Sequence, residues 1–152
     1  RFSGIGLVTS NHRADAPEAQ TKRYELAEKV ANEGAEAAVN PKLFKEGTPP
    51  DSPMVQTAYR IMGATPPAGI IGTLQAMATR PDSSETLKQI HVPALVIGGE
   101  HDPLFKPEIP QAMADLIPDA QLLMVDSGHM AMMEQADGVT QALEGLLARV
   151  NA

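Results

Sequence analysis

The sequence has no cysteine and only four histidines in 152 residues. The first absence excludes disulfides, thiolate zinc sites and cysteine nucleophiles, and it leaves the redox compartment unreadable. The second confines any metal or base role to His12, His91, His101 and His129. Basic charge is also short, since 12 Lys and Arg stand against 19 Asp and Glu for a net charge of −7. That balance lacks the positive field that a nucleic-acid backbone attracts, so no nucleic-acid partner is expected. No stretch approaches the ~18 uninterrupted apolar residues of a membrane helix, and Arg1-Phe2-Ser3 does not open a signal peptide. Neither a membrane span nor a membrane partner is expected, and a cytoplasmic location is. The chain starts on Arg1 and passes straight into an apolar run, from which we expect the natural protein to begin earlier.

What is present is a soluble composition, 43% apolar and 20% charged, in a chain long enough to bury roughly 70% of its unfolded surface as one compact domain. Three short apolar runs carry turn residues at their ends. Gly4-Ile5-Gly6-Leu7-Val8-Thr9 is followed by Ser10 and Asn11, Ala94-Leu95-Val96-Ile97 lies between Pro93 and Gly98-Gly99, and Gln121 to Val125 lies between Pro118-Asp119 and Ser127-Gly128. Runs of this kind are strands buried on both faces in a parallel sheet. Between the last two, Ile109, Met113, Leu116 and Ile117 recur at helical spacing, with Pro107 and Pro110 in the first turn. Val139, Leu143, Leu146, Leu147 and Val150 mark an amphipathic final helix.

The stretch from Pro17 to Leu87 reads as helical throughout. One helix runs from Pro17 to Gly34, a second starts at Ser52-Pro53, and a third at Thr65-Pro66 carries the stripe Ile70, Ile71, Leu74, Met77, Ala78. About seventy residues between two strands is far longer than an ordinary crossover, which predicts a lid or small inserted subdomain. The expected architecture is therefore α/β: a three-stranded parallel sheet with flanking helices, formed by 1–15 and 88–152, with 16–87 as helical cap and returning helix.

In open parallel sheets ligands meet the chain beyond the carboxyl ends of the strands. Asp102 follows the second run in Gly98-Gly99-Glu100-His101-Asp102, and His129 follows the third in Ser127-Gly128-His129-Met130. A carboxylate on one such loop can fix the tautomer of an imidazole on the next and stabilise it once it takes a proton. Taken singly, Asp102 can equally be a turn or cap residue and His129 a loop histidine. His101, Asp102 and His129 form a conceivable metal set, but the pairing of acid and histidine accounts for two of them, and no metal or other cofactor is expected. Of eight methionines, Met130 and Met133, close behind His129, are the candidates for lining an adaptable substrate pocket, while most of the others read as core.

The segments Ile90 to Asp102 and Ala120 to His129 resemble the seventh strand with its acid loop and the eighth strand with its histidine loop of the α/β hydrolases. Residues Arg1 to Asp15 are similar to that family's sixth strand and the start of its cap, so the resemblance is to the carboxyl-terminal half of the fold. It implies that Asp102 is the acid and His129 the base of a Ser-His-Asp triad. The nucleophile's Gly-x-Ser-x-Gly elbow, which in chain order precedes the acid, is not in this sequence: Ser3, Ser10 and Ser127 all lack the flanking glycines. A further departure is Glu134-Gln135-Ala136, where the family often has Glu-Gln-Pro, which predicts a looser start for the last helix. The implied function is hydrolysis of small carboxylic esters or lactones, with the serine in a missing amino-terminal half and this chain inactive by itself. The alternatives are another chemistry of the fold (perhydrolysis, C–C hydrolysis, dehalogenation, epoxide opening) or a non-catalytic binding domain. Without the preceding strand, residues 4–9 are expected to expose an unprotected edge bearing Ile5 and Leu7, open to self-association or to pairing with the missing half.

Overall fold

Alternation decides the architecture. In Ala94–Gly99 every residue is buried, but successive side chains point to opposite faces of a strand, and the apolar ones sort into two clusters. Ala94 and Val96 pack with Leu87, Met113 and Ile117, whereas Leu95 and Ile97 pack with Ala131, Val139 and Leu146. A strand with helices on both faces follows. The structure, a computed structural model, describes residues 2–151. Strands β1 (Ile5–Val8), β2 (Ala94–Gly99) and β3 (Ala120–Val125) form a parallel sheet in the order β1-β2-β3, with Ile5 opposite Ala94 and Gly99 opposite Val125. The sheet and its helices are the architecture expected from the sequence.

Two compact units are present. The first holds the residues up to His12, Lys42–Thr48, and Ser83 onward; the second holds Arg13–Pro41 and Pro49–Asp82. Around the sheet of the first unit lie α4 (Ser84–Lys88), α5 (Glu108–Leu116), a short α6 (Ala131–Glu134) and α7 (Ala136–Val150). The second unit is helical, with α1 (Pro17–Glu33), α2 (Pro53–Ala64) and α3 (Pro67–Thr79). Ser52 caps α2 by accepting from the Val55 N–H, and Pro at the first turn of each helix costs nothing where the N–H has no intrahelical partner. The stripe of α3 turns inward at Leu74 and Ala78, and α1 packs along α3. Asp15 ties this unit together, accepting from Arg23 Nε at 2.9 Å and from Arg80 at 2.8 Å.

One expectation needs correcting. Ile5 and Leu7 are not presented at the edge of β1; both pack against the cluster of Leu87, Val96 and Met113, because the pleat that turns Gly6 toward α7 turns its neighbours onto the other helix layer. The final helix is amphipathic and packs Val139 and Leu146 against β2, with Leu143 at 37% and Leu147 at 60% exposure. Among the described residues, no helix is long and apolar enough to cross a membrane.

Candidate active site

The register of β2 and β3 brings two loops out side by side. Their last pair is Gly99 and Val125, and the Glu100 N–H donates to Val125 O at 2.9 Å while the His101 N–H donates to Ser127 O at 3.0 Å. A Cβ on Gly99 would lie 2.7 Å from Ser127 O and closer still to Gly128 O, so only glycine lets the acid strand run this near the histidine loop.

Within the first loop the Asp102 side chain, 1% exposed, divides its two oxygens. Oδ1 accepts from the N–H groups of Leu104 at 2.7 Å and Phe105 at 3.0 Å, the turn an Asp favours. Oδ2 lies 2.8 Å from Nδ1 of His129. Burial pushes the Asp102 carboxyl up, but the His129 hydrogen bond and the two backbone N–H donors outweigh it, so the group is held below its ordinary value of 3.8. It is therefore a carboxylate, which can only accept, so the neutral form of His129 facing it carries its proton on Nδ1 and has its lone pair on Nε2. The imidazole is 21% exposed. Phe105 meets it edge-on at 5.3 Å between ring centres, and the His129 N–H donates to Leu43 O at 2.7 Å. A buried acid orienting a partly exposed imidazole is an arrangement that can serve general acid–base chemistry.

The structure thus brings Asp102 and His129 together and turns the neighbouring histidine elsewhere. His101 Nε2 lies 2.9 Å from Asp126 Oδ1, where Lys45 also binds, so His101, Asp102 and His129 are not one ligand set. Among the described residues Glu100, His101 and Asp126 come close enough for a shared cation, but all are exposed and the Lys45 ammonium already occupies Asp126. Ser127 is fully buried and its hydroxyl donates to Gly128 O at 3.0 Å, which gives it no route to a substrate. Met130 and Met133 are half-buried at the entry and within the single turn of α6. A cavity of about 230 Å³ between Ile5, Ile90 and Val92 opens at the strands' amino ends, the opposite edge of the sheet.

One residue escaped the sequence reading as a site residue. Glu134 ends α6, where Gln135 at φ −132° and ψ 46° breaks the helix before α7 restarts. From that break its carboxylate turns back, Oε2 accepting from the Gly128 N–H at 2.9 Å and Oε1 from the Lys45 N–H at 2.8 Å.

Residues 9–136 match the family described as alpha/beta hydrolase fold. The chain belongs to that family. Among solved structures this α/β hydrolase chain is similar to a thermophilic esterase from Thermogutta terrifontis, with 34% identity and a TM-score of 0.92 over 100% of this chain and 58% of that one. It is likewise similar to an enol-lactonase from Burkholderia xenovorans LB400, with 28% identity and a TM-score of 0.84 over 97% and 57%. Among curated proteins, 68 residues are 46% identical to a homoserine O-acetyltransferase of Emericella nidulans, covering 41% of this chain and 14% of that protein. The chain spans less than two thirds of each of these relatives.

Proposed function

We propose that this α/β hydrolase chain supplies the base and the acid of an enzyme acting on small carboxylic esters or lactones. The observation that carries the reading is the 2.8 Å contact between His129 Nδ1 and buried Asp102 at the carboxyl ends of two adjacent parallel strands. The printed activities of its esterase and enol-lactonase neighbours support the substrate class. In this reading a serine on a segment of the same polypeptide outside residues 1–152 attacks the substrate carbonyl as its proton passes to His129 Nε2. Asp102 stabilises the imidazolium so formed. Collapse of the tetrahedral intermediate breaks the acyl–oxygen bond, the imidazolium returns its proton to the departing alkoxide, and a water activated by the same Nε2 releases the acid. Met130 and Met133 line the acyl pocket, and the helices of the second unit are the cap.

The same reading gives the edge of β1 an occupant. Gly6 is exposed on it, Phe2 is 84% exposed beside it, and Leu143 of α7, at the surface, lies 3.4 Å from where a Gly6 Cβ would be. A strand from the nucleophile-bearing segment, or a second copy of this chain, covers that edge. Light scattering at micromolar concentration tests it: the 152-residue chain alone elutes as more than a monomer, and a strictly monomeric, cooperatively melting chain contradicts it.

The function is tested with the full-length gene product and a short activated acyl ester. Hydrolysis by that product, abolished in His129→Ala, supports the reading. An aspartate in place of the serine in the elbow, or hydrolysis that survives His129→Ala, defeats it.

A further inference from the structure

The histidine loop is held from below by two separate carboxylates. Asp102 meets the His129 ring. Glu134 meets the backbone at the residue before His129, bridging the Gly128 N–H and the Lys45 N–H with different oxygens. The segment it draws in is the one that accepts the His129 N–H at Leu43 O. Its approach is so close that a Cβ on Gly128 would lie 2.5 Å from Lys45 N and 2.7 Å from Leu43 O. Lys45 also reaches Asp126 at the start of the same loop. The His129 main chain is therefore fixed on both sides, and one side chain joins the two sides.

We propose that Glu134 is a positioning residue, its carboxylate clamping the histidine loop to residues 43–45 so that the His129 ring stays in register with Asp102. The proposal rests on the reading of His129 as the base, and its chemistry follows from the donor count. Two N–H groups converge on one carboxylate, each on its own oxygen, and the carboxylate satisfies both in one pose. An amide in the same pose satisfies one and turns its own N–H₂ against the other. The loop then shifts by the fraction of an ångström that separates a hydrogen-bonded imidazole from a misaligned one.

The experiment reads the histidine directly, without substrate turnover, and uses the full-length gene product with 15N-labelled histidine. The Nδ1 proton of His129, donated to Asp102, gives a downfield resonance that is assigned by its loss in His129→Gln. In Glu134→Gln this proton exchanges with solvent roughly tenfold faster or disappears, the factor that corresponds to about 1.4 kcal/mol of lost local stability. Glu134→Asp, which keeps the charge but shortens the reach, shows the same loss. Arg149→Ala serves as the control for general destabilisation, because Arg149 braces Ala94 O and Asp119 at the far ends of the strands; it keeps the resonance at the wild-type position. The proposal is overturned if either folded Glu134 variant keeps the wild-type resonance and exchange rate, if Arg149→Ala loses it equally, if neither Glu134 variant folds, or if the wild-type chain lacks the resonance. Absence of ester hydrolysis in the full-length product, with the resonance behaving as described, would defeat the functional reading and leave the clamp standing.

Discussion

Among the described residues, two aspartates have side chains almost closed to solvent, one in each unit, and their partners differ in kind. Asp15 in the helical unit has a side chain 6% exposed and meets two guanidinium groups, Arg23 and Arg80. Asp102 in the sheet unit meets one imidazole and two backbone N–H groups. Burial pushes both carboxyls up and their partners pull both below the ordinary value, so the direction of the shift does not tell them apart. What does is whether the partner can change its charge. Guanidinium is protonated at every accessible pH, so Asp15 sits in a permanently neutralised cluster that joins the start of α1 to the end of α3. Imidazole exists in a neutral and a charged form, so the partner of Asp102 is a group that can take up and release a proton. On the proposed function, the carboxylate of Asp15 braces the fold and that of Asp102 serves chemistry.

Substitution by asparagine separates the two roles. In the full-length product, Asp102→Asn retains an oxygen for Leu104 and Phe105 but presents an N–H₂ to His129, which forces the wrong tautomer. A fall in kcat of about 10³–10⁴ is expected, together with some loss of melting temperature, because Asp102 too is held below its ordinary value and gives up the stability that goes with it. Asp15→Asn leaves two guanidiniums facing a neutral group. Because those arginines are 30% and 26% exposed, solvent offsets part of the loss and about 1–3 kcal/mol of destabilisation is expected, a shift of roughly 3–10 °C in a calorimetric melt with kcat unchanged.

The acid limb of stability sharpens the contrast. A carboxyl held below its unfolded value contributes stability that is fully present above about pH 4 and is lost as pH falls through the folded value. Wild-type melting temperature should therefore drop below about pH 4, and Asp15→Asn should flatten that limb while lowering the plateau above it; an unchanged limb would remove Asp15 from the account. The smallest effect is expected at Asp126. Lys45 and His101 hold its carboxyl below the ordinary value as well, but it is exposed, and Asp126→Asn should leave the melting temperature unchanged within error at physiological salt.

Much of the sheet could be read from the chain because its signals are local. A continuous apolar run between Pro93 and Gly98-Gly99 has few other uses than a strand buried on both faces, and two such strands in parallel put Asp102 and His129 on neighbouring loops whatever lies between them. The Glu134 clamp had no such signal. Its two N–H partners are 6 and 89 residues away, and a loop at residues 43–45 in a helix-rich stretch carries no periodicity that would bring it to a strand end. The Asp15–Arg80 pair, 65 residues apart, was hidden for the same reason. The facing of Ile5 and Leu7 was missed because Gly6 between them blurs the alternation.

The central claim is that His129, oriented by Asp102, activates a nucleophile. It is met most directly by the rate at which a phosphonylating reagent, which modifies activated serines irrespective of ester preference, labels the full-length product. The account predicts one labelled serine, labelling slowed by about 10³-fold or more in His129→Ala and in Asp102→Asn, and a wild-type rate in Asp15→Asn. Labelling of His129→Ala at the wild-type rate would contradict it.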